Sequence, residues 1–154
     1  MTSSAITGEI LVQASQKDLL EFISDPYNFT KANPNMIQCE IQSHKNTDVE
    51  KHFTITEKFY FLGFIPCLAV ADEVMTIRKS SFSIIVHFLP RMGGVEGSIT
   101  IHVENSNRQG TVKLTMSVEI EGWFGIKQYS EGVTRQALPQ ILENLKREAE
   151  LSIN

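Results

Sequence analysis

From Met36 to Glu121 the chain alternates apolar and polar residues through six consecutive segments: Met36 to His44, Glu50 to Leu62, Cys67 to Ile77, Phe82 to Leu89, Val95 to Val103 and Thr111 to Glu121. The last alternates most cleanly. Val112, Leu114, Met116, Val118 and Ile120 face one way, and Lys113, Thr115, Ser117, Glu119 and Glu121 face the other. Successive side chains of a strand point to opposite faces, so this pattern specifies an antiparallel sheet with one dry face and one wet face. The dry face needs a cover, and the chain supplies one. From Ile126 to Leu151, the residues Ile126, Tyr129, Val133, Ala137, Leu138, Ile141, Leu142, Leu145 and Ala149 recur at helical spacing. Lys127, Glu131, Arg135, Glu143, Lys146, Arg147 and Glu150 fall on the opposite side of that helix.

Upstream, Ile6 to Ala14 alternates enough for a first strand. Ser15 is placed to cap a short helix over Gln16 to Ile23, with Asp18 suited to its positive end. Asp25-Pro26 breaks that helix and starts a second, which Asn33-Pro34 closes. The expected architecture is α+β: a seven-stranded curved antiparallel sheet wrapped around a long C-terminal helix, as one domain over residues 1–154. A chain of this size can bury roughly 70% of the surface its unfolded form exposes. The net charge of −4, with no run of Lys and Arg, argues against nucleic acid as a partner. No secretory signal is visible, and the longest apolar run, Phe59 to Ala71, is too short to span a bilayer as a helix. Cys39 and Cys67 are expected as free thiols, and a cytoplasmic location follows.

The turns of the expected sheet divide by polarity. Residues 44–51, 78–81 and 104–110 are strongly polar. The turns that alternate with them are apolar: Phe61-Leu62-Gly63-Phe64-Ile65-Pro66, Phe88-Leu89-Pro90-Arg91-Met92-Gly93-Gly94 and Gly122-Trp123-Phe124-Gly125. In an up-and-down sheet alternate turns share an end, so one pole is wet and the other presents Phe64, Ile65, Met92, Trp123 and Phe124. Clustered apolar groups at a surface mark a binding site.

Few polar residues fall on the dry face. Phe53, Ile55, Phe59 and Phe61 share their face with Glu57, while Cys67, Ala69, Ala71, Met75 and Ile77 share theirs with Glu73. A hairpin folded about Ile65 sets Glu57 opposite Glu73 and Phe61 opposite Ala69. Two carboxylates across adjacent strands repel, and in a dry hollow one of them holds a proton. Such a pair can act as acid and base or orient a polar head group. The small side chains of Cys67, Ala69 and Ala71 beside the large Phe59 and Phe61 leave room for a ligand. The four histidines lack ligand spacing and there is no Cys-x-x-Cys, so no metal site is expected, and no nucleophile or phosphate-loop motif occurs. No cofactor is called for. In the long helix, Pro139 removes a hydrogen bond and Gly132 weakens the turn before it. The helix is therefore expected to be anchored through Ile141 to Ala149 and looser near Trp123.

This layout resembles the START-like helix-grip superfamily of polyketide cyclases, lipid-transfer domains and the major birch-pollen allergen. Its local signature here is Asp25-Pro26-x-x-Phe29 with Pro34 before the second strand. Thr7-Gly8-Glu9, the Asp25-Pro26 break, Gly97 and Ala137-Leu138-Pro139 look most like the branch named for the G subunit of carbon monoxide dehydrogenase, although the usual Pro-Gly is Pro34-Asn35 here. The resemblance implies a hollow between sheet and helix, with Gly63-Phe64-Ile65-Pro66 in the place of a gate and Pro90 to Gly94 in the place of a latch. The implied ligand is a hydrophobic small molecule such as a lipid, quinone or polyketide. Phe59, Phe61, Cys67, Ala69, Ala71, Met75, Met116, Tyr129 and Val133 would line the hollow, and Phe64, Ile65, Met92, Trp123 and Phe124 would ring its mouth. Two other readings stay open: a polyketide cyclase or dehydratase using Glu57 and Glu73, and a protein that docks on a membrane or a partner through its apolar pole.

Overall fold

Two local capping interactions start the helices ahead of the sheet. In the computed structural model, which describes residues 5–91, 95–123 and 125–154, the Ser15 hydroxyl accepts the Asp18 amide at 3.1 Å. The Asp25 carboxylate accepts the Tyr27 amide at 2.9 Å. These interactions satisfy amides that a helix leaves free at its start, and they open α1 (Gln16–Ile23) and α2 (Pro26–Thr30). Leu19, Leu20, Phe22, Ile23 and Phe29 are buried from this pair of helices.

Around them run β1 (Ile6–Val12), β2 (Met36–Ile41), β3 (Glu50–Phe61), β4 (Ile65–Arg78), β5 (Ser83–Pro90), β6 (Glu96–Asn105) and β7 (Val112–Glu121), followed by α3 (Ile126–Ile153). All seven strands form one antiparallel sheet in the order β1-β7-β6-β5-β4-β3-β2. Strands two to seven form a meander, and β1 returns to pair with β7. This is the α+β architecture expected from the alternation and the closing helix.

The long helix lies along the β1–β7 side of the concave face. Its seat is Gly8, where an added Cβ would stand 2.9 Å from a Leu142 methyl and 3.2 Å from one of Leu138. The fully covered residues of α3 are Leu138, Leu142, Leu145 and Ala149, all from Leu138 onward. Asn144 pins that half further by donating to the Ala32 carbonyl at 2.8 Å. The first half, ahead of Leu138, contributes no buried residue.

One strand pairing differs from the expected register. The β3–β4 hairpin turns through Leu62-Gly63-Phe64, so Phe61 faces Ile65, Glu57 faces Ala69 and Glu73 faces Phe53. Leu62 and Gly63 adopt left-handed backbone conformations, with φ of 55° and 85°. Pro66 therefore lies inside β4 rather than in the turn. It is tolerated because the ladder with β5 reaches only as far as Ala71, so among the described residues β4 has β3 alone beside it at Pro66, and proline is confined to such edge positions. The outer part of the hairpin, past Ala71 on β4, projects as a two-stranded arm. The register changes by an even number of residues, so every side chain keeps its expected face.

Candidate functional site

The concave face of the sheet is dry at one end and open at the other. Toward the polar turns, Met75, Ile77, Ile84, Val86, Ile101, Val103, Leu114 and Met116 are buried beneath α1, α2 and the anchored half of α3. Toward the apolar turns the same faces of β3 and β4 lose their cover. Phe59 and Cys67 are half-buried, Ala71 likewise, and Ala69, Phe61 and Ile65 are exposed. Inward-facing residues of a sheet become accessible only where nothing packs on them, so a hollow opens between the outer half of the sheet and the first half of α3. Met75 and Met116 pack the core beneath its floor.

Glu73 marks the floor. It is 4% exposed, with Phe53 opposite on β3 and Phe88 opposite on β5. Among the described residues its carboxyl makes no hydrogen bond or ion pair, and burial, reinforced by the like charge of Glu57, pushes its pKa up to about 8. Glu57 sits nearer the mouth. Burial raises its pKa as well, and the Asn33 side chain partly offsets this. The two acids are not direct cross-strand partners as expected. Phe53, which does face Glu73, is four residues from Glu57, about 13 Å along the strand. They share a hollow and repel without sharing a proton. On β2, burial raises the Cys39 thiol, a hydrogen bond to Thr30 opposes this, and Glu73 and Asp25 add repulsion.

Asp72 is a useful contrast because it adjoins Glu73 and faces the other way. On the convex side its carboxylate accepts hydrogen bonds from Arg91 at 2.9 Å and Thr54 at 2.7 Å. Those bonds hold its pKa below the usual range. Arg91 thereby ties the end of β5 to β3 and β4. Cys67 and Cys39 are free thiols, as expected from the sequence.

At the mouth, Tyr129 of α3 joins helix to arm. Its hydroxyl donates to the Tyr60 carbonyl at 2.8 Å, and its ring lies 5.6 Å from Phe61, edge to face, and 6.4 Å from Phe59. Beside this contact a groove of about 580 Å³ runs between the arm and α3, lined by Pro34, Asn35, Tyr60, Gly63, Tyr129, Gly132, Val133 and Ala137 among others. Phe64 is 72% exposed and Trp123 83% exposed. Ile65 is exposed with them. Met92 and Phe124, the other expected rim residues, lie outside the described residues. On α3 the expected polar face needs one correction: the Glu131 side chain is only 13% exposed, because it lies one helical repeat before Leu138 on the stripe that meets the sheet. Sequence reasoning missed that residue and its ion pair with Arg135, 3.6 Å away. The signal was its spacing of seven from Leu138. Among the described residues no cluster of three or more metal-ligating side chains occurs, and no helix is long and apolar enough to cross a membrane.

The sequence matches no family model and no curated protein sequence. Solved structures are similar over nearly the whole chain. The Zhui aromatase/cyclase from Streptomyces sp. R1128 superposes with a TM-score of 0.82 at 11% identity, covering 99% of this chain and 97% of its own. TTHA0849 from Thermus thermophilus gives 0.75 at 8% identity, covering 98% and 100%. Ara h 8.0201 gives 0.69 at 14%, covering 98% and 99%. At these identities the likeness is one of fold, a helix grip in which a seven-stranded antiparallel sheet holds a long C-terminal helix.

Proposed function

We propose that this chain binds a hydrophobic small molecule, lipid-, quinone- or polyketide-like, in the hollow between the outer half of the sheet and the first half of α3. The observation that carries this reading is the change along the concave face, from the sealed Met75 to the accessible Ala69 on one strand. A protein that only needed a core would seal both ends. Burying roughly 400 Å² of apolar ligand surface would supply on the order of 10 kcal/mol before the costs of association. Similarity to the Zhui aromatase/cyclase and to Ara h 8.0201 supports the use of this scaffold, although one scaffold serves both binding and catalysis.

A second reading has one observation in its favour. Glu73, held protonated near neutral pH, is a proton donor in a dry site, as a cyclase or dehydratase of a polyketide-like substrate requires. The carrier reading stands first because the hollow is otherwise poor in polar groups that could orient a reacting substrate.

Native mass spectrometry of the protein purified from its own source tests the reading. A co-purifying apolar molecule is the expected result. Clean ligand-free protein under all growth and extraction conditions would overturn it.

A further inference from the structure

The charged groups in the hollow are all of one sign. From the mouth down to Glu73, the concave face of the described strands carries Glu57 and Glu73 and no Lys, Arg or His. Among the described residues, the surrounding elements supply no cation to Glu73. From β2 comes the Cys39 thiol, with Asp25 behind it. From β5 comes Phe88. On α3, Arg135 is engaged with Glu131 at 3.6 Å. Among the described residues, the charge that acts on Glu73 is that of Glu57. Glu73 is nonetheless 4% exposed, and no buried side-chain oxygen among the described residues is both sealed and unpartnered. Its carboxyl is therefore not completely sealed, and its side chain points to the concave face.

An unpartnered buried acid at the floor of an apolar space selects among head groups. A carboxylate or phosphate would meet the like charge of Glu57 and would oppose any ionisation of Glu73. A hydroxyl or carbonyl would gain one hydrogen bond from the protonated acid and leave the charge of Glu57 uncompensated. An ammonium group offers three donors, accepts nothing, and neutralises the carboxylates in a medium where charge interactions are stronger than in water. We propose that the ligand of this hollow is a hydrophobic amine, its ammonium group held at the floor by Glu73, with Glu57 adding its charge from nearer the mouth, and its apolar body lying along Phe59, Ala69 and Ala71. This inference rests on the hydrophobic-binder reading above and specifies its ligand class.

Proton release follows from it. Free Glu73 is largely protonated at pH 7, so capture of a cation drives its ionisation and expels a proton. Affinity for the amine rises as pH is raised from 6 to 8, because less work is then needed to remove that proton.

The test compares dodecylamine, dodecanol and dodecanoic acid, each below its aggregation threshold, by titration calorimetry in two buffers of different ionisation enthalpy. The amine is expected to bind at least about tenfold tighter than the alcohol at pH 7.5, with the acid weakest. Amine heats should depend on the buffer at pH 7, reporting the released proton. In Glu73→Gln the advantage of the amine over the alcohol should shrink to less than about threefold, and Glu57→Gln should reduce it in part. An alcohol that binds as tightly as the amine overturns the head-group assignment, as does an amine preference that survives both substitutions. If all three probes bind alike, only this inference falls. If none binds, the hydrophobic-binder reading falls with it.

Discussion

The Tyr129 hydroxyl donates to the Tyr60 carbonyl at 2.8 Å and so fastens the weakly held half of the long helix to the tip of the projecting β3–β4 arm. Beside that bond, the Tyr129 ring packs against Phe61 and Phe59 of the arm. Tyr129→Phe removes the donor and keeps the ring. It should cost about 0.5–1 kcal/mol of stability, and it should speed hydrogen exchange in the arm and both association and release of hydrophobic probes. Tyr129→Ala, which also forfeits the contacts with Phe59 and Phe61, should have a larger effect by about 0.5–1.5 kcal/mol. Exchange rates unchanged in both variants would mean that the contact does not hold the mouth.

Glu73 makes stability depend on pH in a direction that can be worked out. Its folded pKa, about 8, lies above the ordinary 4.5. Its favourable contribution is complete below pH 4.5 and is lost as pH rises toward 8, levelling off above that. The loss is on the order of 5 kcal/mol. Urea denaturation of Glu73→Gln should show that decline largely abolished and the variant more stable than the parent at pH 8. A parallel pH profile in the two proteins would place the Glu73 carboxyl in water.

Trp123 is the only tryptophan and is 83% exposed at the apolar pole. Hydrophobic ligands or lipid vesicles should shift its emission to the blue as water leaves the indole. Ile65→Asp should weaken that response by about 1 kcal/mol or more with the fold intact, because it changes an exposed side chain at the base of a turn. Asn107→Asp, at the opposite pole, should leave it unaltered. Emission indifferent to every probe would remove Trp123 from the rim.

Gly8→Val should lift α3 from its seat. The new branched side chain would enter space held by Leu142 and Leu138, and overpacking of this kind costs about 1–3 kcal/mol. Chemical denaturation gives the number directly. A neutral substitution would show that the helix rides higher on β1 than the 2.9 Å approach requires.

The fold was largely legible because strand alternation and helix periodicity report burial directly. The inward faces of Glu57 and Glu73 were legible for the same reason, since parity survives any even register change. The pairing itself was not. Pro66 reads as a turn residue, and only the short reach of β5 makes a strand position acceptable to it. The covering of Glu131 was hidden too. Its charge reads as solvent-facing, whereas its position on the helical stripe of Leu138 carries it toward the sheet. The Tyr129–Tyr60 bond uses a backbone carbonyl, which no side-chain pattern announces.

The shortness of β5 has a further consequence for the behaviour of this protein at high concentration. Beyond Val70, whose carbonyl still accepts the Arg91 amide at 3.0 Å, the side of β4 that β5 leaves uncovered is a strand edge with no partner among the described residues, flanked by the exposed Leu68. Such edges recruit strands from other copies and seed aggregation. Pro66 interrupts the row of donors there and blunts the edge, much as prolines and charges do on other unprotected sheets. The residue that misdirects the reading of the hairpin thus helps to keep the molecules apart.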